Sequence, residues 1–344
     1  MPARHILTYA QALRGGVERA QLRLVRGWLD AGRDVTLLLG EEGDAFSAEL
    51  PESLHPIRRG RLAGALPRTV ADLRPDIIFC PGNHYTGLAA WTRLRLGRDC
   101  PPIVAKMSNA CHRPDFAAPV RWGHARWLGT HRRFLDGLVA MTPATAAEAS
   151  AATGLPAIVI PNPPVPPPPV RSPFGQRTII GVGRLEPQKR WDRLIAALPA
   201  LDDDVRLVIH GEGSLRPVLE AQIARAGLQR RVTLPGHTAD PLAAMAAAHV
   251  VALVSDYEGV PGVLREALSV GRPVVATDSS PAVAEIVATP ALGTIVGRDD
   301  ARALAAALRH WLMPGTRLPP PVAPPGHDAA ARYLALFDRI VAAR

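Results

Sequence analysis

Two carboxylates, Glu258 and Glu266, stand eight positions apart in SDYEGVPGVLREALSVGRPVVATD, residues 255–278. Carboxylate oxygens accept hydrogen bonds in pairs, which suits the vicinal hydroxyls of a sugar or ribose. Pro261 or Gly262 is a natural helix start, and Gly271 with Pro273 a natural stop. Glu258 then belongs to a loop and Glu266 to the helix behind it, so they do not share one helical face. We read them as an acid pair without basic partners, whose partners arrive with a ligand; for Glu266 a favourable position in the helix dipole explains the residue equally well.

A basic pair offers the complementary chemistry. In VGRLEPQKRWDRL, residues 182–194, Arg184 leaves a strand end and Lys189 follows five residues later. A fork-shaped guanidinium and a point-charge ammonium can grip a diphosphate together. They would stabilise charge growing on a phosphate leaving group with no metal or other cofactor. A solvated loop is the alternative. Gly15 and Gly16, between the first strand and first helix, permit close backbone approach of a phosphate to a helix N-terminus; a tight turn would need the same residues.

These groups must be held by a repeated architecture. Strand-like runs recur at Ile6–Tyr9, VTLLL, DIIFC, PIVAKM, GLVAMT and AIVIPN, and again at TIIGVG, VRLVIHGEG, VTLPG, VVALVS, PVVATD and GTIVG. Apolar strands alternating with helices predict parallel, doubly wound α/β sheets. The first helix runs from about Val17 to Ala31, with Val17, Ala20, Leu24 and Trp28 at the helical period. Between the series lies IPNPPVPPPPVRSPFGQR, too rich in proline for a helix or central strand. We therefore expect a first domain over 1–163, a linker over 164–176, a second domain over 177–327 and a closing helix over 328–344. A ligand cleft between the domains is expected.

With 344 residues and 47% hydrophobic content, the chain has ample material for two cores. No apolar run is long enough to span a membrane, and the start lacks an apolar signal-like region, so a cytoplasmic location is expected. Cys80, Cys100 and Cys111 show neither disulfide nor zinc spacing and are expected to be idle or buried thiols. The net charge of +9, carried by far more Arg than Lys, suits a phosphate-rich ligand or an anionic membrane. No nucleic-acid-binding pattern accompanies it. Residues 113–134 interleave Arg, Trp and Phe, as a membrane-facing surface or as a solvated helix with core aromatics.

The motifs VGRL…K, EGVPGVLREAL and GRPVVATD, with Glu285-Ile286-Val287, resemble in their order retaining glycosyltransferases of the GT-B fold, family GT4. The resemblance spans nearly the whole chain and includes the N-terminal glycine pair, IPNP and HGEG. It implies two Rossmann-like domains facing a central cleft, with the last helix crossing back to the first. It implies that Arg184 and Lys189 bind the donor diphosphate, Glu266 the ribose and Glu258 the donor sugar. Backbone at Gly259, Val260, Pro261, Gly262 and Val263 would touch sugar hydroxyls, Gly183 and Gly213 would line the donor, and Gly15 and Gly16 would close over its phosphates. Many members carry a histidine after the strand equivalent to PIVAKM; here Asn109 and then His112 are the candidates for sugar contact, with His84 toward the acceptor. The loop over residues 278–285, with Ser279 and Ser280 ahead of Glu285, departs from the family's usual glycine pair. The implied partners are a nucleotide-diphosphate sugar, with UDP favoured, and a glycan or lipid-linked acceptor. A silent sugar-nucleotide-binding protein or a GT-B epimerase are the competing readings.

Overall fold

The computed structural model describes residues 2–13, 15–40, 49–168 and 175–344. Of the expected linker, 169–174 lie outside the described residues. The chain divides into two compact units: everything to Pro164 together with Pro325–Arg344, and Val165–Pro324.

In the first unit the described residues form a parallel sheet of seven strands. These are β1 (His5–Ala10), β2 (Asp34–Leu39), β3 (Ile57–Arg58), β4 (Ile77–Cys80), β5 (Ile103–Lys106), β6 (Gly137–Ala140) and β7 (Ala157–Val159), ordered β3-β2-β1-β4-β5-β6-β7. The helices between them are α1 (Gly16–Asp30), α2 (Leu62–Leu73), α3 (Thr86–Leu96), α4 (Ala118–Gly129) and α5 (Pro143–Thr153). Strands β4 and β5 are buried at every position, which is why they read as unbroken apolar runs. The two-residue edge strand β3 carries no comparable run, and the sequence reading does not contain it.

The second unit repeats the plan with β8 (Thr178–Val182), β9 (Arg206–His210), β10 (Val232–Gly236), β11 (Val250–Leu253), β12 (Val274–Thr277) and β13 (Gly293–Val296), ordered β10-β9-β8-β11-β12-β13 and parallel throughout. Helices α6 (Trp191–Ala197), α7 (Arg216–Arg225), α8 (Pro241–Ala247), α9 (Gly262–Ser269), α10 (Pro281–Ile286) and α11 (Ala301–Leu312) intervene.

The chain then returns to the first unit as α12 (Ala329–Ala342). Gly27 of α1 makes room for it, since a β-carbon there would lie 2.6 Å from that of Ala330. Trp28 meets Phe79, Tyr333 and Phe337 edge-on at 5.3, 6.0 and 5.4 Å between ring centres. Such pairs contribute about 0.5–1.5 kcal/mol each beyond the area they bury. Asp338 seals the end, accepting from Ala3 N and Arg33 Nη2, each at 2.8 Å.

Strand order reverses between β1 and β4 in the first sheet and between β8 and β11 in the second. Loops leaving two such strands diverge, so the crevice beyond their carboxyl ends is where α/β sheets hold ligands. All three cysteines are free and buried, as expected. Among the described residues no helix is long and apolar enough to cross a membrane.

Candidate functional site

At the reversal in the second sheet, the loop after β8 runs through Gly183, Arg184 and Leu185 to a short 3-10 turn, Pro187–Lys189. The loop after β11 runs from Val254 to Pro261, where α9 begins without a side-chain cap. Gln188 joins the two: its carbonyl accepts from Asp256 N at 2.9 Å, and its Nε2 donates to Tyr257 O at 2.7 Å. One residue on, Lys189 Nζ donates to Glu258 Oε1 at 2.6 Å, and Ser255 Oγ donates to the same oxygen at 2.7 Å. Glu258 is only 8% exposed. The acid therefore has a basic partner, 69 positions away in sequence, which corrects the reading of it as unpaired. Neighbour-by-neighbour inspection cannot show a partner supplied by another strand end.

The loop that departs from the family pattern supplies the third wall. Glu258 N donates to Ser279 O at 2.9 Å, Ser280 Oγ to Gly259 O at 2.6 Å, and Thr277 Oγ1 to Ser255 O at 2.7 Å. Val260 and Val263 pack against the core below, and Pro261 is buried as the residue preceding the helix. Gly262 is exposed as the first residue of α9, and Glu266 is half-buried in its second turn. The first N–H groups of an uncapped helix are donors for an anion or hydroxyl.

Arg184 is exposed, and its guanidinium has no hydrogen-bond partner among the described residues. Its backbone carbonyl accepts from Trp191 Nε1 at 2.9 Å. The indole explains the glycines above it: a β-carbon at Gly183 would lie 3.3 Å from Trp191 and one at Gly181 only 2.6 Å away. Gly213 has an equally internal reason, since its β-carbon would lie 2.4 Å from Leu185 O. Gly183 and Gly213 thus let the loops after β8 and β9 lie side by side, through Gly183 N to His210 O and Leu185 N to Glu212 O, both 2.9 Å.

The reversal in the first sheet is built differently. Gly15 precedes α1, and a β-carbon there would lie 2.6 Å from Glu18 Oε2, so this glycine accommodates a carboxylate of its own chain. At Gly16 a β-carbon would meet nothing within 4 Å. Glu18 is buried, accepts from Tyr85 Oη at 3.1 Å and lies 3.6 Å from Nε2 of the exposed His84. Burial pushes its carboxyl up, but hydrogen bonds from His84, its own backbone and Tyr85 outweigh this and hold it below the ordinary range. Lys106, fully buried at the end of β5, donates to Asn162 Oδ1 at 3.1 Å. Burial lowers its ammonium to about 8 against the opposing pull of Glu18 and Cys80.

Asn109 and His112 are held by their backbones. Asn83 accepts from Asn109 N at 3.0 Å and donates to Asn109 O at 3.1 Å, while Asn109 Oδ1 accepts from Ala110 N at 2.9 Å. His112 is exposed, its N–H donating to Glu148 Oε1 at 2.9 Å. Residues 113–134 divide: Trp127 and Phe134 join the core, whereas Trp122 on α4 is 67% exposed beneath Arg126, whose guanidinium lies 5.0 Å from the ring centre.

Residues 176–313 match the family model for glycosyl transferases group 1, and residues 14–163 match that for glycosyltransferase family 4. Both units are glycosyltransferase domains. Over 134 residues the chain is 34% identical to N-acetylgalactosamine-N,N'-diacetylbacillosaminyl-diphospho-undecaprenol 4-alpha-N-acetylgalactosaminyltransferase of Campylobacter jejuni, covering 39% of this chain and 37% of that protein. It is 35% identical over 109 residues to the poly(ribitol-phosphate) alpha-N-acetylglucosaminyltransferase of Staphylococcus aureus, covering 30% and 22%. The aligned stretches thus span well under half of these relatives. The HepE protein of Anabaena, solved with UDP and glucose, superposes with a TM-score of 0.75 at 19% identity over 99% of this chain and 98% of that one. The fold is GT-B.

Within these glycosyltransferase domains, sequence reasoning missed Ser255, Gln188, Ser279, Ser280, Asn83, Glu18 and Lys106. Glu18 and Lys106 had a usable signal: a carboxylate in the first turn beside a glycine pair, and a lysine inside an apolar strand run. The small polar residues had none, because their role is a hydrogen bond to a distant loop.

Proposed function

We propose that this chain is a retaining glycosyltransferase of family GT4 that moves a sugar from a nucleotide-diphosphate sugar, a UDP-sugar by family frequency, to a glycan or lipid-linked acceptor of the cell envelope or exopolysaccharide. The observation that carries the reading is the Lys189–Glu258 contact at the strand reversal of the second sheet. A cation for phosphate and a carboxylate for hydroxyls stand side by side there, with the uncapped N-terminus of α9 behind them. In this reading Arg184 and Lys189 neutralise the departing diphosphate, Glu258 accepts from the donor sugar and Glu266 from the ribose. Backbone from Gly259 to Val263 completes the sugar contacts, Gly15 and Gly16 approach the phosphates, and Asn109 or His112 reaches the sugar. The bond from the anomeric carbon to phosphate breaks, the acceptor oxygen bonds on the face just vacated, and its proton leaves with the diphosphate. The names of the Campylobacter and Staphylococcus relatives and the ligands of HepE agree with donor and acceptor classes of this kind.

The test is a thermal-shift screen of the full chain against UDP, GDP, ADP and their sugars, since a ligand at 100 times its Kd stabilises by about 2.7 kcal/mol. NMR of the product then reads the anomeric configuration. Inversion refutes the retaining assignment, and binding without turnover favours the silent sugar-nucleotide protein. With two cations to carry the leaving-group charge, we expect turnover in EDTA, and its abolition there would refute metal independence.

We further propose that α4 meets an anionic membrane surface. The helix buries only Leu128 and exposes Val120 and Trp122 beside Arg121 and Arg126. Co-sedimentation with phosphatidylglycerol vesicles that is unchanged in Trp122→Ala counts against it.

A further inference from the structure

Glu258 uses one of its two oxygens. Lys189 and Ser255 both donate to Oε1, and among the described residues Oε2 accepts no hydrogen bond. The two donors differ in freedom. Lys189 carries its charge on a flexible four-carbon stem whose side chain is 15% exposed. Ser255 is fully buried two residues beyond β11, a strand buried along its length, and Thr277 fixes its carbonyl. A ligand phosphate can draw Lys189 away, but it cannot draw Ser255.

We propose that Ser255 is the positioning residue of the donor-sugar site. Its hydroxyl holds Oε1 of Glu258 when Lys189 exchanges that oxygen for a diphosphate, so the carboxylate is already oriented when Oε2 receives a sugar hydroxyl. The proposal rests on the reading of this site as one for a nucleotide sugar. Without the hydroxyl, a carboxylate released by Lys189 turns about its last bonds, and the sugar must order it again. A nucleoside diphosphate engages Lys189 but has no sugar hydroxyl for Glu258. Ser255 therefore matters to the sugar-bearing ligand and not to the diphosphate alone.

The experiment compares two affinities in one protein by calorimetry on the full chain. The probes are UDP, and whichever of UDP-glucose, UDP-galactose and UDP-N-acetylglucosamine binds wild type most tightly. A hydrogen bond to a charged group predicts that Ser255→Ala lowers the ratio of UDP-sugar to UDP affinity about tenfold, with UDP affinity unchanged. A structural role would instead weaken both ligands together, and that result, like an unchanged ratio, overturns the proposal while leaving the nucleotide-sugar reading intact. Wild type that binds none of the probes overturns the UDP-sugar reading and the proposal with it. Should Ser255→Ala lose its cooperative unfolding transition, Ser255→Cys carries the same test. Its weaker donor predicts a ratio below wild type, and a wild-type ratio again overturns the proposal.

Discussion

The chain holds 38 arginines and two lysines, and both lysines stand near the carboxyl ends of strands in a parallel sheet, one in each unit. Lys189 is partly open and has a carboxylate oxygen at 2.6 Å. Lys106 is fully buried and has one neutral amide oxygen at 3.1 Å. An ammonium is a compact charge on a narrow stem, whereas a guanidinium needs room for a planar fork. The first lysine is a charge whose partner can be exchanged for a ligand. The second is a charge kept in place at a cost, which its downward pKa shift to about 8 records.

The largest expected effect separates the two at once. Lys189→Ala should lower sugar transfer by about 10²–10³, the usual loss when one donor to developing negative charge is removed. Its melting temperature should stay near wild type. Lys189→Arg should restore little, because a fork does not replace a point charge against Oε1. If Lys189→Ala transfers sugar as wild type does, the side-by-side cation and carboxylate are a structural ion pair and the contrast collapses.

Next comes stability at Lys106. Truncation to Ala leaves a cavity and an unpartnered Asn162 oxygen, at a cost of about 2–5 kcal/mol by chemical denaturation. Lys106→Met fills the space without the charge and should be close to neutral or stabilising. The pH dependence carries the sign. A base whose folded pKa is about 8 and whose ordinary value is 10.5 binds fewer protons folded than unfolded between those values. This contribution therefore destabilises fully below pH 8 and is relieved as pH rises toward 10.5. Wild type should gain stability relative to Lys106→Met across that window. A relative loss there would mean that Lys106 is held by an ion pair as Lys189 is.

The contrast also shows what the sequence could reveal. Period and punctuation sufficed for α1, α9, α12 and every described strand except β3, because each is set by local apolar spacing and by Gly and Pro at its ends. The spacing of Glu258 and Glu266 and the helix start at Pro261 were legible for the same reason. Contacts across strand ends were not. Lys189 to Glu258 spans 69 positions and Lys106 to Asn162 spans 56, and such distances close only when the sheet order is known. Gly183 and Gly213, placed at the donor by motif, have backbone and indole neighbours that account for them without a ligand.

A smaller effect sharpens the exchange at Lys189. Glu258→Gln keeps the shape and weakens the hold on the ammonium, leaving Lys189 freer for a diphosphate. UDP should then bind as tightly as to wild type or a few-fold more tightly, while sugar transfer falls, since a neutral amide is the weaker partner for both groups. Calorimetry with UDP decides. Clearly weaker UDP binding would mean that Glu258 supports the lysine instead of competing for it.

The smallest expected change concerns the glycine pair of the first unit, and it asks whether that strand reversal meets a ligand at all. Gly15 is fixed by Glu18, so Gly15→Ala must move a carboxylate tied to His84 and Tyr85. Gly16 has no such constraint, lies at the first position of α1 and has ordinary negative φ. Gly16→Ala should therefore leave stability unchanged or raise it by up to about 1 kcal/mol, through a less flexible unfolded chain. Sugar transfer measured on the same protein carries the information. Reduced transfer at undiminished stability means that the missing methyl group at residue 16 is room for a donor phosphate. Full transfer means that the first unit keeps its glycines for its own turn, and that the donor is bound by Lys189 and its neighbours alone.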